Sequence, residues 1–150
     1  MSLVTHQSII KDAGLTYKEY PYWDPKTKGL NFKGMCDTLE NARKGSIILL
    51  HTCAHNPTGV DPTVEQWKAL AELFRRKELI PFFDTAYHGF ATGDVEGERR
   101  AIHIFLEQGL PLFVSYSFAK NFGLYGERIG ALHVIVDNKD QAEKVLSQLK

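Results

Sequence analysis

Ser46-Ile-Ile-Leu-Leu-His51, then Asp61-Pro-Thr63 opening a segment with Trp67, Leu70, Ala71 and Phe74 on one helical face, then Ile80-Pro-Phe-Phe-Asp84: this stretch decides the fold. The two outer runs are short and almost continuously apolar, as in strands buried on both faces. Between them Thr63 and Gln66, three positions apart, have the spacing of a capping box, which marks the start of an amphipathic helix. A strand, a helix and a second buried strand form a crossover unit, and such units build parallel sheets.

The alternation continues on both sides. Ile102, Phe105 and Leu106 predict a helix that stops at Gly109; Leu112 to Tyr116 predicts a strand, and Ala131 to Val136 another. Asn138 is placed to cap a final helix with Ala142, Val145, Leu146 and Leu149 at helical spacing. Toward the N-terminus, a helix is expected from Phe32 to Ala42, a turn-rich loop from Trp23 to Gly29, a strand from Leu15 to Tyr22, and a short helix from Gln7 to Ala13 closed by Gly14. The fold class is α/β, a mostly parallel sheet flanked by helices. The last helix runs into Lys150 without a Gly or Pro stop, and Met1-Ser-Leu3 reads as an added start, so residues 1–150 are expected to be part of a longer domain.

Composition narrows the function classes. Hydrophobic residues at 43% and charged residues at 24% of 150 describe a chain that can build a core. Eighteen Lys plus Arg balance eighteen Asp plus Glu, so no net field draws the chain to nucleic acid or anionic lipid. The apolar runs fall far short of the ~20 residues that a membrane-spanning helix needs. Cys36 and Cys53 are the only thiols, too few for a disulfide framework and too far apart for a Cys-x-x-Cys pair, which fits a reducing compartment. The opening residues have neither a basic flank with an apolar stretch nor an Arg-rich amphipathic pattern. Cytoplasm or mitochondrial matrix is expected, and this segment does not decide between them.

In open parallel sheets, functional groups gather beyond the carboxyl ends of the strands. There this sequence puts His51, His55 and Asn56-Pro-Thr-Gly59 after one strand, Asp84 and Tyr87 after the next, and Ser117 and Lys120 after a third. Taken singly, these are a turn, a helix cap and a surface lysine; their concentration at one edge is what points to a site. His51 and His55 are spaced like a helical metal pair, but Pro57 prevents a helix here, and on an extended chain the two would stand roughly 13 Å apart at about 3.3 Å per residue. No metal is expected. Ser117-Phe-Ala-Lys120 matches the Ser-x-x-Lys of penicillin-recognising enzymes, yet their Ser-Asp-Asn and Lys-Thr-Gly partners do not occur. Neither Gly-x-Gly-x-x-Gly nor a P-loop is present, so nucleotides lack a phosphate cradle. What remains suits pyridoxal 5'-phosphate, a cofactor that needs a lysine for its aldehyde, an acid for its ring nitrogen, donors for its phenolate oxygen and a phosphate site.

Three segments then carry a resemblance: Cys53-Ala-His-Asn-Pro-Thr-Gly-Val-Asp-Pro62, Asp84-Thr-Ala-Tyr-His-Gly-Phe-Ala91 and Ser115-Tyr-Ser-Phe-Ala-Lys-Asn-Phe-Gly-Leu-Tyr-Gly-Glu-Arg-Ile-Gly130. The chain resembles the fold type I aminotransferases that use pyridoxal phosphate, and within them the aspartate and aromatic branch. The resemblance implies that residues 1–150 are the central part of the large cofactor-binding domain, without the N-terminal part and the small C-terminal domain. It implies Lys120 as the Schiff-base lysine and proton shuttle, Asp84 as partner of the protonated ring nitrogen, and Asn56 and Tyr87 as donors to the phenolate oxygen, with Asn56 also facing substrate. Ser117 and Arg128 would hold the phosphate, and His51 and His55 would lie behind these groups as orienters; Tyr125 is as readily packing as contact.

The implied reaction is ping-pong transfer of an amine from L-aspartate to 2-oxoglutarate, giving oxaloacetate and L-glutamate, in a homodimer. The alternatives are an aromatic amino acid aminotransferase of the same branch, and a noncatalytic structural piece without turnover. The arginines that grip substrate carboxylates in the family lie outside this segment, so the substrate preference rests on the likeness. The family also implies a cis bond between Asn56 and Pro57, for which the small cis penalty before proline is favourable.

Overall fold

The computed structural model describes residues 4–150; the opening Met1-Ser-Leu3 lies outside them. Helix α1 (Val4–Asp12) begins earlier than the sequence pattern indicates and is closed by Gly14 at φ 72°. The expected strand from Leu15 to Tyr22 does not form. Two of its three tyrosines are anchored individually instead: Tyr20 Oη donates to Leu49 O at 2.6 Å and Tyr22 Oη to Val60 O at 2.7 Å. The alternation there reflects side chains reaching inward from an irregular chain, not a sheet. Trp23 to Gly29, expected as a plain loop, begins an antiparallel hairpin of β1 (Trp23–Asp24) and β2 (Gly29–Leu30).

From there the predicted order holds. Helix α2 (Phe32–Glu40), capped by Asn31, leads to β3 (Ile47–His51), α3 (Val64–Lys77) and β4 (Ile80–Thr85). The capping box of α3 is complete, with Thr63 Oγ1 accepting from Gln66 N at 3.2 Å and Gln66 Oε1 from Thr63 N at 2.9 Å. A one-turn helix that the sequence pattern does not reveal, α4 (Val95–Glu98), precedes α5 (Arg100–Glu107), β5 (Leu112–Ser117), β6 (Gly130–Ile135) and α6 (Lys139–Leu149).

The main sheet has the order β3-β4-β5-β6. Its first three strands are parallel, while β6 runs antiparallel to β5. The difference follows from the connection: no helix separates β5 from β6, so the chain simply reverses. Gly130 sits where a Cβ would come 2.6 Å from Tyr116 O, so the close approach of the two strands requires glycine. Pro81 in central β4 is tolerated because Ile80 N donates toward β3, to Ser46 O, so the next nitrogen faces the β5 side before pairing begins at Phe82.

The core lies between the sheet and α2, α3 and α5. Trp67 and Phe74 from α3, Phe83 from β4 and Phe105 from α5 meet there, with Phe105 edge-on to Phe74 at 5.1 Å and to Phe83 at 5.2 Å between ring centroids. Such edge-to-face pairs add to the stabilisation that comes from removing the rings from water. Phe83 immediately precedes Asp84, so this packing fixes the strand that presents the carboxylate.

Candidate active site

The sheet register sets out the site. His51 pairs with Asp84 across β3 and β4, and Asp84 with Ser115 across β4 and β5, so three strands end side by side. Beyond them lies a cleft of about 240 Å³ lined by Asp84, Tyr116, Ser117 and Arg128, among others. Asp84, half-buried at its floor, accepts a hydrogen bond from His6 Nε2 at 2.8 Å. Burial alone would raise its carboxyl; the His6 hydrogen bond and the His51, His6 and Lys120 charges outweigh that and hold it below the ordinary carboxylate value. It is therefore an anion at neutral pH.

The loop after β3 turns sharply. Ala54 adopts φ 47°, Asn56–Pro57 is cis, and Gly59 follows at φ 67°. Asp61 holds the turn by accepting from Ala54 N at 2.7 Å and His55 N at 2.9 Å. His51 Nδ1 accepts from Asn56 N at 3.2 Å, so it serves as an acceptor there. The two histidines are thus not separated as an extended chain would leave them: their ring centroids lie 4.6 Å apart, because the chain reverses between them. His55 is also stacked on Tyr22 at 3.6 Å and bonded to Thr58 Oγ1. Burial, with the neighbouring His51, pulls its imidazole down to about 3, while burial also lowers His51 despite the opposing Asp84 charge.

Asn56 Nδ2 donates to Tyr87 Oη at 3.3 Å, so these two groups face the site as a pair. Lys120 Nζ stands 5.2 Å from the centre of the Tyr87 ring and 5.8 Å from that of Tyr125. Ser117 Oγ accepts from Ala119 N at 3.2 Å, and Arg128, at φ 51°, donates from Nη1 to Tyr125 O. Asn56, Asp84, Tyr87, Ser117, Lys120 and Arg128 all lie on the carboxyl-end side of the sheet, and His51 touches both Asn56 N and the His55 ring.

Several residues of the site escape sequence reasoning. His6 reaches Asp84 across 78 positions, and nothing in a single sequence signals such a pair. With His51 and Asp84 it also brings three possible ligand atoms within 4.8 Å of one another, a different grouping from His51 with His55. Asp61, which in the sequence only opens the segment before α3, restrains the turn. A relay also leads away from Asn121, beside Lys120. His88 Nε2 donates to Val95 O at 2.8 Å, His88 Nδ1 and Tyr116 Oη share a hydrogen bond at 2.9 Å, and Tyr116 Oη accepts from Asn121 Nδ2 at 2.9 Å.

Comparison with known proteins gives a consistent result. Residues 4–150 match the family of class I and II aminotransferases. The chain is 52% identical over 145 residues to the chloroplastic aspartate aminotransferase 3 of Arabidopsis thaliana, covering 97% of this chain and 32% of that protein. It is 50% identical over 149 residues to the cytoplasmic aspartate aminotransferase of Dictyostelium discoideum, covering 99% and 34%. Mitochondrial forms are also among the relatives, so these proteins come from three compartments, one more than the sequence led us to expect. The chain spans about a third of the length of these relatives. Among solved structures, an aromatic-amino-acid aminotransferase from Burkholderia pseudomallei, covalently bound to pyridoxal phosphate, superimposes with a TM-score of 0.95 at 46% identity, over 99% of this chain and 37% of that one.

Proposed function

We propose, from the premise that this chain belongs to the class I and II aminotransferases, that it forms the cofactor-binding part of an enzyme that transfers the amine of L-aspartate to 2-oxoglutarate with pyridoxal 5'-phosphate. The observation that supports this reading is that anionic Asp84, Ser117 and Arg128 line one cleft, while the Asn56 and Tyr87 pair, with Lys120 5.2 Å from the Tyr87 ring, stands at the same end of the sheet. This donor set fits the cofactor group by group: an amine for the aldehyde, a carboxylate for a protonated ring nitrogen, two neutral donors for a phenolate oxygen, and a hydroxyl and guanidinium for a phosphate. When bound, the cofactor supplies an aldehyde that captures an amine and a ring that accepts electron density from the substrate carbon.

The protein's part is to bind, orient and move protons. Asp84, fixed by His6, keeps its negative charge where a ring nitrogen must stay protonated. Asn56 and Tyr87 supply donors where negative oxygen is to be stabilised. Ser117 and Arg128 give a phosphate a neutral and a charged partner. Lys120 would hold the cofactor through its side-chain amine and, when that amine is free, would be the base that takes the proton from the substrate's α-carbon. The two half-reactions share this machinery, so an amino acid leaves as a 2-oxo acid before the second 2-oxo acid enters.

The relatives' names favour aspartate, and the aromatic enzyme from Burkholderia supports aromatic amino acids as a second reading. We further propose that the protein works as a homodimer. The test mixes the intact protein with pyridoxal phosphate, follows visible absorbance, reduces with borohydride and maps the labelled peptide. Label on Lys120 and turnover of aspartate with 2-oxoglutarate are expected. Label elsewhere, or no label, overturns the assignment; faster turnover of tyrosine or phenylalanine than of aspartate selects the aromatic reading.

A further inference from the structure

Glu98 closes the one-turn helix α4 and is only 6% exposed, yet nothing in the reading above uses it. Its carboxylate is surrounded by donors. Oε1 accepts from Thr92 N at 2.6 Å, Thr92 Oγ1 at 3.0 Å and Gly93 N at 3.1 Å. Oε2 accepts from Gly89 N at 2.6 Å and Cys53 Sγ at 3.4 Å. Five donors on a buried side chain are more than a helix end requires, and they come from two different loops. Gly89, Thr92 and Gly93 follow Tyr87; Cys53 precedes Asn56. Glu98 therefore joins the loop that carries one phenolate donor to the loop that carries the other.

We infer that Glu98 is a positioning residue for the site: by bridging Cys53 to Gly89, it sets the placement of Tyr87 against Asn56 and so the strength with which the pair stabilises negative oxygen on a bound pyridoxal phosphate. This rests on the function proposed above. Three of the donors are backbone amides, which can only donate, so both carboxylate oxygens must accept. Burial pushes the Glu98 carboxyl up, but the amides of Thr92 and Gly89, the Thr92 hydroxyl and the Cys53 thiol outweigh it and hold the group below its ordinary value. Burial, and then the Glu98 hydrogen bond and charge, push the Cys53 thiol up to about 12, so it remains protonated and donating. The bridge is thus a neutral donor on an anion, persistent across the neutral range. A carboxylate that only capped its own helix would not need Cys53, and Asp94 already serves the start of α4 through Gly97 N at 3.0 Å.

The test uses Glu98→Gln in the intact protein. A glutamine offers one acceptor oxygen and an NH2 group that confronts amide donors, so one side of the bridge must open. Two readings are taken: hydrogen exchange over residues 86–93 in cofactor-free protein, and the pH midpoint of the visible absorption of bound pyridoxal phosphate. Donors at the phenolate oxygen favour the more anionic form, so their displacement raises that midpoint, by about one pH unit if one charge-assisted hydrogen bond is weakened. Exchange over 86–93 rises with it. Cys53→Ala, which cuts the bridge from the other side and keeps the Glu98 contacts to 89–93, moves the midpoint in the same direction by less. Glu96→Gln, at the exposed carboxylate on the same turn, leaves both readings in place. An unmoved midpoint in Glu98→Gln or Cys53→Ala that still folds and binds cofactor overturns the inference while the proposed function stands. No cofactor absorption in the unsubstituted protein overturns both.

Discussion

The loops after β3 and β4 and the loop after β5 supply two halves of the candidate site, and they are built differently. In the first half, Asp61 holds the amides of Ala54 and His55, His51 holds that of Asn56, and Glu98 holds those of Gly89, Thr92 and Gly93. In the second half the restraints are turn bonds inside the loop, from Phe118 N to Ile129 O, Phe122 N to Phe118 O, Gly123 N to Lys120 O and Glu127 N to Leu124 O; Arg128 donates to Tyr125 O of the same loop, and Phe122 and Tyr125 are 67% and 59% exposed. The groups that must hold charge and hydrogen-bond direction are fixed by the chain itself. On the proposed function, the groups that would grip a ligand, Lys120 and Arg128, sit on a loop held by its own turn bonds rather than by the carboxylates of Asp61 and Glu98. Preorganisation matters most where charge develops, and mobility is tolerable where a ligand supplies its own partners.

The sharpest way to break this comparison is Lys120→Ala in the intact protein. Transamination should fall on the order of 10⁴-fold or more, since anchor and proton carrier are lost together, while far-UV circular dichroism is retained. A near-native rate would remove Lys120 from the chemistry. Next come Asp84→Ala and Arg128→Ala, which set the halves against each other. Asp84→Ala should slow the chemical step on the order of 10²- to 10³-fold with little change in cofactor Kd, and Arg128→Ala should weaken cofactor binding roughly 10- to 100-fold with a smaller effect on the step. Single-turnover kinetics and fluorescence titration separate the two; the reverse pattern would exchange the roles.

A smaller effect probes order directly. Hydrogen exchange measured with and without pyridoxal phosphate should show residues 118–129 gaining more protection than residues 52–61, because ligand contacts add to a loop held mainly by its own short-range turn bonds. Equal protection of both segments would mean that the structural contrast has no dynamic counterpart.

Much of this was legible in the sequence, for reasons that are local. Thr63 with Gln66, the apolar runs from Ile47 and Ile80, and Asn138 before α6 carry their structural meaning within a few residues, and the structure follows them. The candidate residues Asn56, Asp84, Tyr87, Ser117 and Lys120 could be placed together because each follows a strand whose carboxyl end the alternation predicts, whereas Arg128 entered only through the family resemblance. What was not legible is long-range or dependent on a turn. His6 meets Asp84 only through the fold, Glu98 gathers donors that no spacing connects, and the approach of His51 to His55 depends on Ala54 adopting a left-handed conformation that few residues take. The stretch from Leu15 to Tyr22 misleads for the opposite reason: its alternation is real, but Tyr20 and Tyr22 bury their rings without a neighbouring strand to pair the backbone.

The smallest expected effect concerns how the tightly held half responds to acid. His55 is buried between Tyr22 and His51, and that burial lowers its pKa to about 3, against about 6.5 for an unfolded histidine. Above about pH 6.5 both folded and unfolded chains hold it neutral, and its contribution to stability is fully present. As pH falls below 6.5 the unfolded chain takes up a proton that the folded chain refuses, so stability declines until the folded pKa near 3 is reached. Urea midpoints taken at pH 7.5 and 5.0 should therefore drop for the native sequence and drop less for His55→Gln, whose side chain does not titrate. The difference between the two declines is the measure, since the other groups titrate in both proteins. If His55→Gln loses as much stability as the native sequence over that interval, His55 takes up its proton in the folded state, and the turn that carries Asn56 is held less tightly than its hydrogen bonds to Asp61 and His51 imply.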